Sequence, residues 1–66
     1  MEQNQYDLLE VLQSIDPAEL SYQDWVNVGM ALKYEGYDVG IWEDWSRRDP
    51  GRFHTGECLR KWRSFS

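Results

Sequence analysis

The sequence is short of several residue types, and each shortage excludes something. Cys58 is the one cysteine among 66 residues, so no internal disulfide can form, and a reducing, cytoplasmic setting is expected. His54 is the one histidine. It stands at i, i+4 spacing from Cys58, but structural zinc takes four ligands and catalytic zinc three, so no metal site is expected. Cys58 also falls on an apolar helical stripe, where a free thiol behaves as a small hydrophobe and is chemically inert. No apolar run approaches membrane-spanning length. The opening "MEQNQYDLLE" lacks the charged and apolar regions of a secretion signal, so a soluble chain without membrane contact is expected. There is no glycine-rich phosphate loop leading into Lys-Ser/Thr, because "YEGYDVG" lacks both the lysine and the spacing. Glu43 and Asp44 are adjacent, so on a helix they point to different faces and cannot converge on one ion. These absences argue against an autonomous enzyme, and no catalytic residue or cofactor is assigned.

Basic residues are scarce in the first two-thirds of the chain. Residues 1–44 hold ten acids against Lys33 alone, a balance of −9, whereas residues 45–66 hold six bases against Asp49 and Glu57, a balance of +4. The sum is the overall net charge of −5. Such asymmetry between halves points toward an anionic partner.

Aromatic side chains are plentiful. Trp25, Trp42, Trp45 and Trp62, with Tyr22, Tyr34, Tyr37, Phe53 and Phe65, supply enough bulk for a core at a length where a single core barely suffices. Their spacing is helical and no period-2 strand competes, so the expected fold is all-α: one compact domain of three to four short helices. Leu8, Val11, Leu12 and Ile15 form the first stripe, with Asn4 as its cap and Asp16-Pro17 as its stop. Ser21 opens a capping box with Asp24 before the stripe Trp25, Val28, Gly29 and Leu32, a helix over about 22–35 that Gly36 ends. Gly29 lies inside that stripe at a cost of about 1 kcal/mol in helix propensity, which implies that a helix or a tryptophan ring packs against its backbone. Asp38 caps a third helix, about 39–48, with Trp45 in the core and Trp42 on the flank, the tryptophan expected to be partly exposed. Asp49-Pro50-Gly51-Arg52 has the residue order of a type II turn. Thr55 caps a fourth helix, about 56–64, with the core stripe Cys58, Leu59, Trp62 and Phe65.

Six cations, Arg47 and Arg48 at the end of the third helix, Arg52 in the turn, and Arg60, Lys61 and Arg63 on the fourth helix, are the candidate nucleic-acid-binding residues. They could meet phosphates, with Phe53 or His54 available to stack. They could equally serve the helices themselves, because cations near helix C-termini gain about 0.3–1 kcal/mol each from the macrodipole.

"DWVNVGMALKYEG" at 24–36, "IWEDWSRR" at 41–48 and "ECLRKWRSF" at 57–65, in that order, resemble the primase C-terminal type 2 domain. This is a small helical module of replication proteins from phages and mobile elements. The resemblance spans nearly all of residues 7–65. It implies a domain excised from a larger primase–helicase protein, whose primer synthesis and NTP hydrolysis belong to other domains. The module itself is then expected to be a non-catalytic helper. It would hold single-stranded DNA template or nucleotide through its C-terminal basic face, or dock and space the adjacent primase and helicase domains. A monomer is expected for the isolated chain.

Overall fold

The computed structural model describes residues 8–65. Within them lie four α-helices and one 3-10 turn, with no strand among the described residues: α1 (Leu8–Gln13), the 3-10 turn (Pro17–Glu19), α2 (Tyr22–Tyr34), α3 (Val39–Ser46) and α4 (Glu57–Ser64). The all-α expectation holds. The expected Asn4 cap lies outside the described residues.

Local signals set most of the boundaries. The Ser21 hydroxyl accepts the Asp24 amide at 3.1 Å and opens α2, satisfying one of the amides that a helix start leaves without a partner. Gly36, at φ 92°, then ends it in the left-handed region, with the Tyr37 amide donating back to the Leu32 carbonyl. The Asp38 carboxylate accepts the Gly40 amide at 2.8 Å and opens α3. α1 stops at Gln13, short of the expected Asp16-Pro17 stop, with the Ser14 and Ile15 amides turned back to the Val11 and Leu12 carbonyls. Pro17 instead starts a separate 3-10 turn capped by Asp16, an element the apolar spacing does not indicate.

One cap and one turn differ from expectation. Thr55 does not cap α4; Gly56 occupies that position at φ 87°, with no side-chain cap. The left-handed glycine lets the chain turn directly from the preceding loop into the helix, so no hydroxyl is needed for the geometry. The Asp49–Arg52 turn closes with the Arg52 amide on the Asp49 carbonyl, yet Gly51 is not in the positive-φ region that a type II turn requires.

The helices α2, α3 and α4 pack on one another around Leu32, Trp42, Trp45 and Cys58, with Leu12 of α1 joining the same cluster. Trp42 corrects the expectation of partial exposure: its relative exposure is 0%. Its ring stacks on Trp25 at a centroid distance of 4.4 Å and lies 5.9 Å from Trp62 and 5.6 Å from Phe65. A Cβ on Gly29 would fall 2.5 Å from that ring, so the glycine is where α2 admits a tryptophan from α3. Leu59, expected in the core, is 41% exposed. The inward face of α4 is set by Cys58 and Trp62, four residues apart, and Leu59 falls to its side.

Candidate nucleic-acid interface

The six candidate cations differ in what their side chains meet. Arg48 and Arg52 are exposed but reach back to backbone carbonyls of the fold. Arg48 Nη1 donates to the Gln13 carbonyl at 3.3 Å, beside the Trp45 indole, which donates to the Ile15 carbonyl at 3.0 Å. Together they hold the chain after α1 against the end of α3. Arg52 donates through Nη2 to the carbonyls of Pro17 and Leu20, each at 2.9 Å. Its Nε lies 2.6 Å from the Asp49 carboxylate. A planar guanidinium with a fixed fork of donors suits this task of gathering several carbonyls.

Arg47 sits between these roles. It pairs with Asp44 at 3.2 Å and more distantly with Glu43 at 4.0 Å, and its guanidinium lies 5.4 Å from the Phe53 ring centre. Both ion pairs are exposed and so hold the side chain only weakly.

The cations of α4 are different. Arg60 and Arg63 are exposed, and neither side chain has an ion pair or hydrogen bond among the described residues. Lys61 is half-buried, with its ammonium 5.6 Å from the Tyr22 ring centre. Arg60 and Lys61 line one hollow of about 270 Å³ with Tyr22, Glu57 and Ser64; Arg63 stands outside it.

The macrodipole of α4 is served by a residue outside the six candidate cations. Lys33, the lone base of the acidic segment, reaches from α2 and donates to the Trp62 carbonyl at 2.8 Å and the Phe65 carbonyl at 3.2 Å. Its ammonium also lies 5.9 Å from the Trp62 ring centre. A cation already placed on the last carbonyls weakens the case that Arg60 and Arg63 exist only to match the dipole. The available signal was negative: a single lysine within forty-four otherwise acidic or neutral residues.

A larger cavity, about 320 Å³, opens beside this hollow and shares Tyr22 and Glu57 with it. Tyr22, Trp25 and Phe53 form its apolar walls, while Asp49, Arg52 and His54 bring polar edges. Ser46 and Cys58 are buried beneath it. The Ser46 hydroxyl accepts the Trp25 indole N–H at 2.8 Å and the Cys58 thiol at 3.6 Å. Burial pushes the Cys58 thiol up, reinforced by the carboxylates of Glu43 and Glu57, while its bond to Ser46 and the Arg47 charge oppose the shift less strongly. That direction disfavours the thiolate, the form in which a cysteine attacks or binds metal. Among the described residues no three His, Cys, Asp or Glu side chains converge as a metal set, and no helix is long and apolar enough to cross a membrane.

Against this geometry, the family model described as primase C terminal 2 (PriCT-2) matches residues 8–66. Neither the curated proteins nor the solved structures compared with the chain give a match.

Proposed function

The chain belongs to the primase C-terminal 2 family, and from that premise we propose that it is a non-catalytic module that holds single-stranded template by its phosphates on the outer face of α4. Membership associates it with primase-type replication proteins. In this reading, primer synthesis and any NTP hydrolysis reside in neighbouring primase and helicase domains of a larger protein. The observation that carries it is the division of labour among the cations. Lys33, Arg48 and Arg52 are committed to backbone carbonyls, whereas Arg60 and Arg63 are exposed with no side-chain partner among the described residues. Long cationic side chains held near one another, without acceptors of their own, suit a row of phosphates.

The interface is therefore narrower than the stretch 47–63: Arg60, Lys61 and Arg63 carry the contact, Arg47 contributes at its margin, and Arg48 and Arg52, though exposed, are tied to backbone carbonyls. Three phosphate contacts give a slope of log affinity against log salt of about −2 for a single strand. Fluorescence anisotropy with a labelled oligonucleotide measures it. Arg60→Glu, Lys61→Glu and Arg63→Glu together are expected to abolish binding with the helical content retained, while Arg47→Glu weakens it slightly. Unchanged affinity in the triple variant, or no binding by the parent chain at low salt, defeats the proposal.

A second reading has an observation of its own. Met30 is 47% and Tyr34 90% exposed, and at i, i+4 spacing they lie on one face of α2. That face fits docking against a neighbouring replication domain. Substituting both by serine leaves strand binding intact and disrupts only assembly.

A further inference from the structure

The aromatic cavity between α2, α4 and the 49–54 loop has no part in holding phosphates on the outer face of α4. We propose that it receives the base of a nucleotide whose phosphate lies in the neighbouring hollow at Arg60 and Lys61. This rests on the template-holding reading and extends it from the backbone to the base.

The two depressions are neighbours. Tyr22 and Glu57 line both, so a ligand that passes over their shared rim can reach from one to the other. One is walled by aromatic rings; the other holds two cations against the single Glu57 carboxylate, a net positive balance that suits a molecule with a flat π-system at one end and an anion at the other. The cavity's volume, about 320 Å³, falls at the lower end of the ~300–1,000 Å³ found for small-molecule sites. It cannot take a folded partner, but it can take a ring system.

The walls suit a base in particular. Trp42 covers one face of the Trp25 ring at 4.4 Å, and Trp25 still lines the cavity. Tyr22 stands 5.5 Å from Trp25 with their planes at 41°, so the two rings are splayed rather than stacked shut. The buried end of the site is preorganised, because the Trp25 indole is fixed by its 2.8 Å bond to Ser46. At the edges, Asp49 is paired with Arg52 at 2.6 Å, while Glu57 has no ion pair among the described residues. Glu57 can accept N–H groups from a base edge, as carboxylates do from cytosine. Arg47 over Phe53 and Lys61 over Tyr22 place positive charge beside the two outer rings, favouring an anionic ligand over a neutral aromatic one.

The same chemistry could be presented by one residue of a single strand or by a free nucleotide. Three probes distinguish the sources: an ordinary single-stranded oligonucleotide, an abasic strand of equal length, and a nucleoside monophosphate. Stacking on an aromatic platform is sequence-tolerant and large enough that the ordinary strand should bind about five-fold or more tightly than the abasic one. Its binding should also shift the Trp25 indole resonance. Tyr22→Leu and Phe53→Leu, each checked for folding by circular dichroism, should bring the ratio of the two affinities close to one. The monophosphate shifting the same indole identifies free nucleotide as a ligand of the site; a shift with the strand alone identifies the strand. Equal binding of ordinary and abasic strands overturns the cavity proposal and leaves the phosphate reading intact. Absence of binding by either strand overturns both. A preserved preference in both leucine variants places the base elsewhere and overturns this site.

Discussion

Replacing Gly29 by alanine sets two effects of known sign against each other. In an exposed helix the change is favourable by about 1 kcal/mol, because alanine loses less conformational freedom on folding. Here the new Cβ falls 2.5 Å from Trp42 Cε2 and Cζ2 and 2.8 Å from Cη2, inside any acceptable contact. The ring has nowhere to go. It is fully buried, stacked on Trp25 at 4.4 Å and flanked by Trp62 and Phe65. Overpacking costs about 1–3 kcal/mol, and three close contacts on a rigid ring put this case at the upper end, about 3 kcal/mol on that scale. After the propensity gain, a loss of about 2 kcal/mol remains. For a domain with a total stability of roughly 3–10 kcal/mol this is a large fraction, equivalent to a fall in Tm of about 8–16 °C. Thermal unfolding followed by far-ultraviolet circular dichroism measures it. Gly36→Ala is the comparison: nothing lies within 4 Å of its added Cβ, but φ is +92°, so only the left-handed strain of about 1–2 kcal/mol applies. A Gly29→Ala protein as stable as the parent, or more so, refutes the packing argument and leaves propensity in control.

Three further outcomes follow from the contacts around α3 and the loop behind it. Ser46→Ala removes the acceptor of the Trp25 indole and the Cys58 thiol, and leaving a buried donor unsatisfied costs about 1–3 kcal/mol in urea unfolding. Arg52→Met keeps much of the side-chain bulk but releases the carbonyls of Pro17 and Leu20 and the Asp49 pair; a loss of about 1–2 kcal/mol is expected, discounted for exposure. Because burial raises the folded thiol of Cys58, the folded chain keeps its proton at a pH where the unfolded chain has lost it. That contribution is complete below the ordinary thiol range and is lost as pH rises through it toward the folded value. Urea unfolding from about pH 8 upward should therefore show a decline that is smaller in Cys58→Ala, measured relative to that variant's own stability at neutral pH.

What the sequence reveals and what it conceals divide along the range of the interactions. Ser21, Gly36 and Asp38 act on amides and carbonyls within a few residues of themselves, so residue type and spacing suffice to place them. Gly29 is legible for another reason: an interior glycine carries a cost that only a close neighbour explains. Trp42 is not legible, because α3 is eight residues long and is packed by both α2 and α4. A helix buried on two sides has no single apolar stripe, so a residue on the flank of one contact becomes the centre of the other. The cations are the least legible of all. Arg48 and Arg52 reach carbonyls 32–35 residues away in sequence, and Lys33 reaches 29 and 32 residues to end α4. No local pattern encodes those partners. The candidate site accordingly separates, in three dimensions, into cations that hold the fold and cations that face outward.

That separation is tested most directly by mapping backbone amide shifts during a titration with a short single-stranded oligonucleotide. The expected result is a saturable, salt-sensitive set of shifts centred on α4, from Glu57 to Ser64, with little change at Arg48 and Arg52. Shifts confined to the Met30–Tyr34 face, or none on α4 at low salt, contradict it.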